Sequence, residues 1–333
     1  MGTKGQPSGE DRLIERFFKP LATHPGALAL SDDAAYLTPP AGHDLVLTTD
    51  MTVAGVHFFA DDPPETIGKK ALRVNLSDLA AKGAEPIGAL LAISFSEDID
   101  EGWIANFSRG LGEDCIAFSC PLLGGDTTKT RGPLSIAITA VGKVPFGKMV
   151  KRAGAKPGDF VVVSGTIGDA ALALELRKRV LSGGLGDLDK PQVAELMRRY
   201  RVPEPRLALA PLLREFANAA MDISDGLAGD LDKLARVSGV GAQIETAKIP
   251  LSNPAHDAIA GEAALLATAL TGGDDYEVLA AIPESRFAAF AEAASKAGVP
   301  VTAIGRFEAG EGVAVLGPGG QELSFEKASF SHF

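Results

Sequence analysis

Apolar runs alternate with helical patterns along the chain. ALAL (27–30), DLVLTT (44–49), IGALLAISF (87–95) and PLSIAITAVG (133–142) are short, apolar and bounded by Gly, Pro or Asp, which predicts strands. Leu13–Phe18 predicts a short helix, and residues 64–82 and 102–118 predict longer ones. After Gly142 the stretch KVPFGKMVKRAGAKPGD is basic, rich in Gly and Pro, and lacks apolar periodicity, so a domain boundary is expected near 148–152. FVVVSG (160–165) then predicts a strand and Asp169 to Leu181 a helix, followed by a surface loop, SGGLGDLDKPQ. Helices are expected over 191–200, 204–217, 225–237 and 284–297, and strands at NAAMDI, 276–282, 301–307 and 313–316. This alternation in both halves predicts two α/β (α+β) domains, residues 10–150 and 151–333, behind a polar, disordered segment 1–9. No internal repeat stands out.

Composition narrows the function. With 43 acidic and 32 basic side chains the 333-residue chain carries a formal charge of −11, which opposes general nucleic-acid binding. Aromatics make up 6% of residues, too sparse for a base-stacking platform. The 2 cysteines, Cys115 and Cys120, lie in an apolar stretch without zinc-site spacing and read as core residues. No apolar run is long enough for a membrane span, and MGTKGQPSGEDR lacks a signal-peptide core, so a cytoplasmic protein is expected.

The placement of Asp is the informative feature. Asp32 and Asp33 follow ALAL, Asp50 follows LVLTT, Asp126 follows PLLGG, and Asp222 follows NAAM with Asp225 close behind. Asp274 and Asp275 follow two glycines. Asp at any one strand end is ordinary turn or cap chemistry. The recurrence points to function, because ligands of α/β folds gather outside the carboxyl ends of strands. Gathered carboxylates repel one another unless a cation joins them. Asp78 extends the apolar stripe Ile67, Ala71, Val74 of a helix; either it needs a partner on a buried face, or the helix breaks near Asn75–Ser77 and Asp78 caps a second turn. All these donors are hard oxygens with no His/Cys cluster, which suits Mg²⁺ and phosphate chemistry.

The chain has no GxxxxGK[ST] loop, protein-kinase motif set or GxSxG elbow. Asp222-Ile-Ser-Asp225-Gly226 leaves two readings open, a metal-dependent phosphatase and a non-P-loop nucleotide kinase.

At a larger scale the chain resembles the thiamine-monophosphate kinase family, within the superfamily of aminoimidazole-ribonucleotide synthetase and selenophosphate synthetase. The motifs are Ser31-Asp32-Asp33-Ala34-Ala35, Thr48-Thr49-Asp50 with Gly55-Val56-His57-Phe58, Asn75-Leu76-Ser77-Asp78-Leu79-Ala80, Gly124-Gly125-Asp126-Thr127, Asp222-Ile223-Ser224-Asp225-Gly226-Leu227, Gly272-Gly273-Asp274-Asp275-Tyr276-Glu277 and the terminal His332-Phe333. Their order and spacing cover nearly the whole chain from about Glu10. Ser31 replaces a usual Gly, and Asp274 a frequent Glu.

The resemblance implies a two-domain PurM-like fold, a homodimer paired through its N-terminal sheets, and transfer of the γ-phosphoryl of ATP to thiamine monophosphate. Carried over residue by residue, it implies that Asp33, Thr48, Asp50, Asp78, Asp126, Asp222 and Asp225 hold several Mg²⁺ ions, with a backbone oxygen from Thr49. Gly125, Asp126, Arg152 and Ser224 would contact ATP, and His57 and Asp274 the thiamine substrate, with Phe325 or Phe330 packing on it. The residues alone read His57 as a core histidine and Arg152 equally as a solvated linker charge. Lys69, Lys70 and Arg73 read as the polar face of their helix.

Overall fold

The computed structural model describes residues 9–181, 191–325 and Ser329. The chain divides into two compact units, one formed by Met1–Leu76 and Pro86–Phe146, the other by Ser77–Glu85 and Gly147–Phe333.

The first unit is built on a four-stranded sheet. Its strands are β1 (His43–Val53), β2 (Glu85–Phe95), β3 (Leu122–Lys129) and β4 (Ser135–Pro145), in the order β1-β4-β2-β3. β1 and β4 are antiparallel, with Thr49 opposite Thr139; β2 and β3 are parallel, with Ala92 opposite Asp126. The helices are α1 (Gly9–Leu13), α2 (Pro64–Ala81), whose residues from Ser77 onward count with the second unit, and α3 (Glu101–Ala117). α3 begins at Asp100, whose side chain caps the Trp103 N–H at 2.7 Å. α2 and α3 are joined by a bidentate pair, Arg73 to Asp114, at 2.5 and 2.8 Å. The apolar stripe of α2 is buried, as its spacing predicts: Ile67, Ala71 and Val74 are each at most 3% exposed. The helix continues without a break to Ala81, so Asp78 sits on a helical face and caps nothing.

Two expectations fail in this unit. ALAL is not a strand: Pro25–Leu30 forms a 3-10 turn whose residues Leu28, Ala29 and Leu30 all have φ near +50°, a costly conformation for side-chain-bearing residues. Gly124–Thr127 is not a turn after a strand but part of β3, because pairing with β2 overrides the turn preference of Gly and Asp.

The second unit carries a six-stranded sheet in the order β10-β7-β9-β5-β8-β6. Its strands are β5 (Phe160–Ser164), β6 (Ala219–Asp222), β7 (Gly241–Glu245), β8 (Val278–Ile282), β9 (Val301–Glu308) and β10 (Val313–Leu316). The helices are α4 (Asp169–Leu181), α5 (Pro191–Arg201), α6 (Ala210–Phe216), α7 (Leu227–Ser238), α8 (Asn253–Gly261), α9 (Leu265–Thr271) and α10 (Glu284–Lys296). Strand β7 and helices α8 and α9 have no counterpart in the expected elements. Both faces of the sheet are covered, which explains its continuous apolar strands. Val161, Val163 and Leu279 pack with Leu231 and Leu234 on one side, and Val162, Ala280 and Ile282 with Leu213 and Phe290 on the other. No helix among the described residues is long and apolar enough to cross a membrane.

Candidate functional site

In the first unit, strand alternation sorts the residues of β1. Val46 and Thr52 are buried, Thr48 and Asp50 lie half-buried between them on the same face, and Leu47, Thr49 and Met51 are exposed on the other. The backbone N–H of Asp50 donates to Asn75 Oδ1 at 3.1 Å, and the buried Asn75 donates in turn to the Ala71 carbonyl. This bond fixes Asp50 against α2. Asp50 therefore lies within its strand and not at its end. Thr49 donates its hydroxyl to the Ile138 carbonyl and accepts from Thr139.

His57 is half-buried in the turn after β1. Its Nδ1 accepts the Val53 N–H at 3.0 Å, which leaves the ring proton on Nε2. Lys70 donates to the His57 carbonyl at 2.9 Å and is itself only 2% exposed. Lys70 thus departs from the polar helix face expected of it; a buried ammonium needs a partner, and the turn supplies one.

Asp32, Asp33, Gly125 and Asp126 meet at a cavity of about 630 Å³. Its walls are apolar, including Phe18, Leu30, Leu91 and Leu122, and its polar groups are gathered at the Asp pair and at Gly124–Thr127. Asp33 and Asp126 are exposed there. Asp32 steadies the pair by accepting the Asp33 N–H at 2.8 Å, and Glu10 accepts the Thr127 hydroxyl at 2.8 Å. Gly125 has no substitute: a Cβ would stand 1.8 Å from the Leu91 carbonyl oxygen.

In the second unit Asp222 closes β6 and is 5% exposed. Burial pushes its carboxyl well above the ordinary range, and the nearby charge of Asp78 pushes it further; a hydrogen bond from Ser77 and the Lys82 ammonium oppose the shift. Lys82 is lowered by burial and by Arg152, while Asp222 and Asp78 act the other way, and its ammonium donates to the Ala220 carbonyl at 2.7 Å. Arg152 is exposed. A buried carboxylate and a half-buried one whose charges act on each other match the donor chemistry of a divalent cation.

The loop Asp222–Gly226 is held by a residue that the sequence reading missed. Asp230, in the first turn of α7, accepts the N–H groups of Ser224, Asp225 and Gly226 on Oδ2 at 3.0, 2.9 and 3.2 Å. It is fully buried. Lys233 donates to Asp230 Oδ1 at 2.8 Å and to Asp225 Oδ2 at 2.5 Å. A carboxylate at a helix N-terminus was visible in the sequence, and that is the signal which could have found it. Gly226 has φ +120°, and a Cβ there would press on Thr271 at 2.7 Å.

The Gly272–Glu277 segment packs beside this loop. The Asp274 and Tyr276 N–H groups donate to the Ser224 and Ile223 carbonyls, and both residues have positive φ. Ser77 Oγ lies 3.4 Å from the Tyr276 carbonyl. Asp275 and Glu277, buried on either side of Tyr276, anchor the segment inward. Phe325 is half-buried against the second unit's core, and Phe330 lies outside the described residues. Among the described residues no three His, Cys, Asp or Glu side chains are grouped closely enough to hold a metal ion.

These two units match the AIR synthase related protein models, the N-terminal domain over residues 31–144 and the C-terminal domain over 156–317. The thiamine-monophosphate kinase of Caulobacter vibrioides is 43% identical over 315 residues, covering 92% of this chain and 86% of that protein. The solved thiamine-monophosphate kinase of Stenotrophomonas maltophilia K279a is 39% identical with a TM-score of 0.82, covering 92% of this chain and 94% of that one. The structure described as AaThiL complexed with AMPPCP and TMP is 35% identical with a TM-score of 0.77, and 91% of each chain is covered. The chain belongs to the thiamine-monophosphate kinase family.

Proposed function

We propose that this chain transfers the γ-phosphoryl group of ATP to thiamine monophosphate, giving thiamine diphosphate and ADP. The observation that carries the reading is the cavity of the first unit. There an apolar wall able to take a base adjoins Gly125, Asp126, Asp32 and Asp33, which suit a charged tail reached through cations. The relative solved with AMPPCP and TMP supports the same pair of substrates.

We assign Asp33, Thr48, the Thr49 backbone oxygen, Asp50 and Asp126 of the first unit, and Asp78, Asp222 and Asp225 of the second, as oxygen donors to Mg²⁺. Gly125, Asp126, Arg152 and Ser224 are assigned to ATP; His57 and Asp274, with Phe325 or Phe330, are assigned to the thiamine substrate. Bound Mg²⁺ would neutralise and align the reacting phosphate oxygens.

The chain's own groups do the rest. The acceptor is a phosphate monoester whose second pKa is about 6, so it is already a nucleophilic dianion at neutral pH. A general base is not required, which agrees with a His57 ring whose Nδ1 is committed to the Val53 N–H. Gly125 lets β3 lie against the Leu91 backbone of β2, which keeps Asp126 at the cavity, and Asp230 holds the Ser224–Gly226 amides so that Asp225 keeps its place. Transfer is direct, with no phosphoenzyme. The exposed apolar face of the first sheet, with Leu47 64% and Met51 61% exposed, supports a homodimer. Both substrates are soluble metabolites, and we assign the protein to the cytoplasm.

Incubation of thiamine monophosphate with and without ATP tests the reading. Thiamine diphosphate and ADP in equal amounts are expected. Phosphate release without ATP would instead favour a Mg²⁺-dependent phosphomonoesterase, and label retained on the protein after labelled ATP would overturn direct transfer.

A further inference from the structure

Lys233 bridges two carboxylates of different character. Asp230 is fully buried, and its Oδ2 is committed to three backbone N–H groups. Asp225 is half-buried, with a side chain 40% exposed. Lys233 touches both, through Asp230 Oδ1 at 2.8 Å and Asp225 Oδ2 at 2.5 Å, and its own side chain is 30% exposed. The ammonium is therefore held by a buried carboxylate on one side and by a more exposed one on the other.

We propose that Lys233 is an internal counter-cation that competes with divalent metal for Asp225. The inference rests on the assignment of Asp225 as a metal donor. The Asp225 oxygen that carries an ammonium at 2.5 Å has one lone pair committed and a positive charge beside it, so Mg²⁺ at about 2.1 Å is held there more weakly until the ammonium withdraws. The two cations also repel each other through a short, partly screened distance. Asp230 keeps hold of Lys233 after that withdrawal, so the competitor stays near and the penalty on a lone ion persists. An ion that arrives with the polyphosphate of a nucleotide brings negative charge that offsets this repulsion. Lys233 thus disfavours loading of metal alone and favours loading of metal with nucleotide. It is a positioning residue, acting through Asp225.

Mn²⁺ binding to the full chain, followed by electron paramagnetic resonance with and without AMPPCP, tests this. Without nucleotide, Lys233→Met should bind Mn²⁺ roughly ten-fold more tightly than the wild type, the scale of one nearby charge removed. Lys233→Arg, which keeps the charge, should match the wild type. AMPPCP should narrow the gap, and Asp225→Asn combined with Lys233→Met should abolish the gain. Unchanged or weaker Mn²⁺ binding in Lys233→Met would overturn the inference while leaving the metal assignment standing. A wild type that binds no Mn²⁺ under either condition would overturn both. Should Lys233→Met fail to fold by circular dichroism, Lys233→Gln makes the same comparison.

Discussion

Both carboxylate oxygens of Asp275 lie 2.9 Å from the backbone nitrogen of Gly168, deep inside the second unit. Burial holds this carboxyl well above the ordinary range; the Gly168 N–H and the Arg199 charge oppose the shift, and Asp169 and Glu277 add to it. A carboxyl raised on folding binds its proton more tightly in the native state. Its contribution is most favourable at low pH and declines as pH rises through about 4 toward the raised value. Asp275→Asn keeps an oxygen for Gly168 and removes the buried charge. Its melting temperature should exceed that of the wild type near neutral pH, by an amount that shrinks as the pH is brought below 4. Thermal melts across that range check it, and a gain independent of pH would refute the electrostatic cause.

Glu277 holds a larger network. It is fully buried and accepts Arg199 Nη2, Arg206 Nε and Ser164 Oγ, each at 2.6 Å. Glu277→Ala would leave two guanidinium groups without their shared anion in a poorly solvated place. Removing one partner of such a pair costs about 3–5 kcal/mol. Urea denaturation should show a loss of this order for Glu277→Ala and a smaller loss for Glu277→Gln, which retains the Ser164 bond. Equal losses would mean that shape, not charge, dominates.

Cys115 and Cys120 behave as core residues. Burial pushes each thiol up to about 12, with the Asp114 charge adding to the shift at Cys115 and Cys115 itself adding at Cys120. The thiolate is the reactive form, so neither should react quickly with a thiol reagent at neutral pH in the native protein. Both should react once denaturant is added. Rapid stoichiometric labelling of the native chain would contradict this burial.

The sequence exposed some of this architecture and hid the rest for identifiable reasons. Ile67, Ala71 and Val74 were legible because burial and helical period coincide there. ALAL misled because small apolar residues carry no clear period; Ala27 is buried while Leu28, in a left-handed turn, is 37% exposed. The Asp positions were legible as a set, but their settings were not. Only Asp222 of the expected metal donors closes its strand, whereas Asp50 and Asp126 lie within theirs. β7, α8 and α9 escaped because GAQIE is short and NPAHDAIAG and LLATALT carry little charge patterning. The Asp230 clamp and the Lys70 bond to the His57 carbonyl depend on three-dimensional neighbours, which periodicity cannot supply.

Asp50 and Asp126 offer the clearest test of the active-site assignment. Asp126 is exposed and Asp50 half-buried, so Asn at either position removes charge with little loss of packing. Surface changes of this kind alter stability by only about 0.5 kcal/mol. Turnover measured by ADP release should nevertheless fall by about two orders of magnitude or more, the scale of a lost electrostatic contact in the transition state. Circular dichroism and melting should stay near wild type. Turnover within about two-fold of wild type would remove these carboxylates from the catalytic set.

The open face of the first sheet gives the last prediction. Leu47 and Met51 point away from the buried side of β1. Leu47 and Met51 flank Thr49, whose hydroxyl accepts that of Thr139 at 3.0 Å, so the face is mixed in polarity. An exposed apolar sheet face is a liability in a monomer and an asset in a dimer, where a two-fold axis would set Leu47 and Met51 against their copies. Leu47→Glu with Met51→Glu would place like charges across that axis. The variant should elute as a monomer in gel filtration coupled to light scattering, at concentrations where the wild type is dimeric. A wild type that is monomeric at every concentration would remove the homodimer from the proposed function.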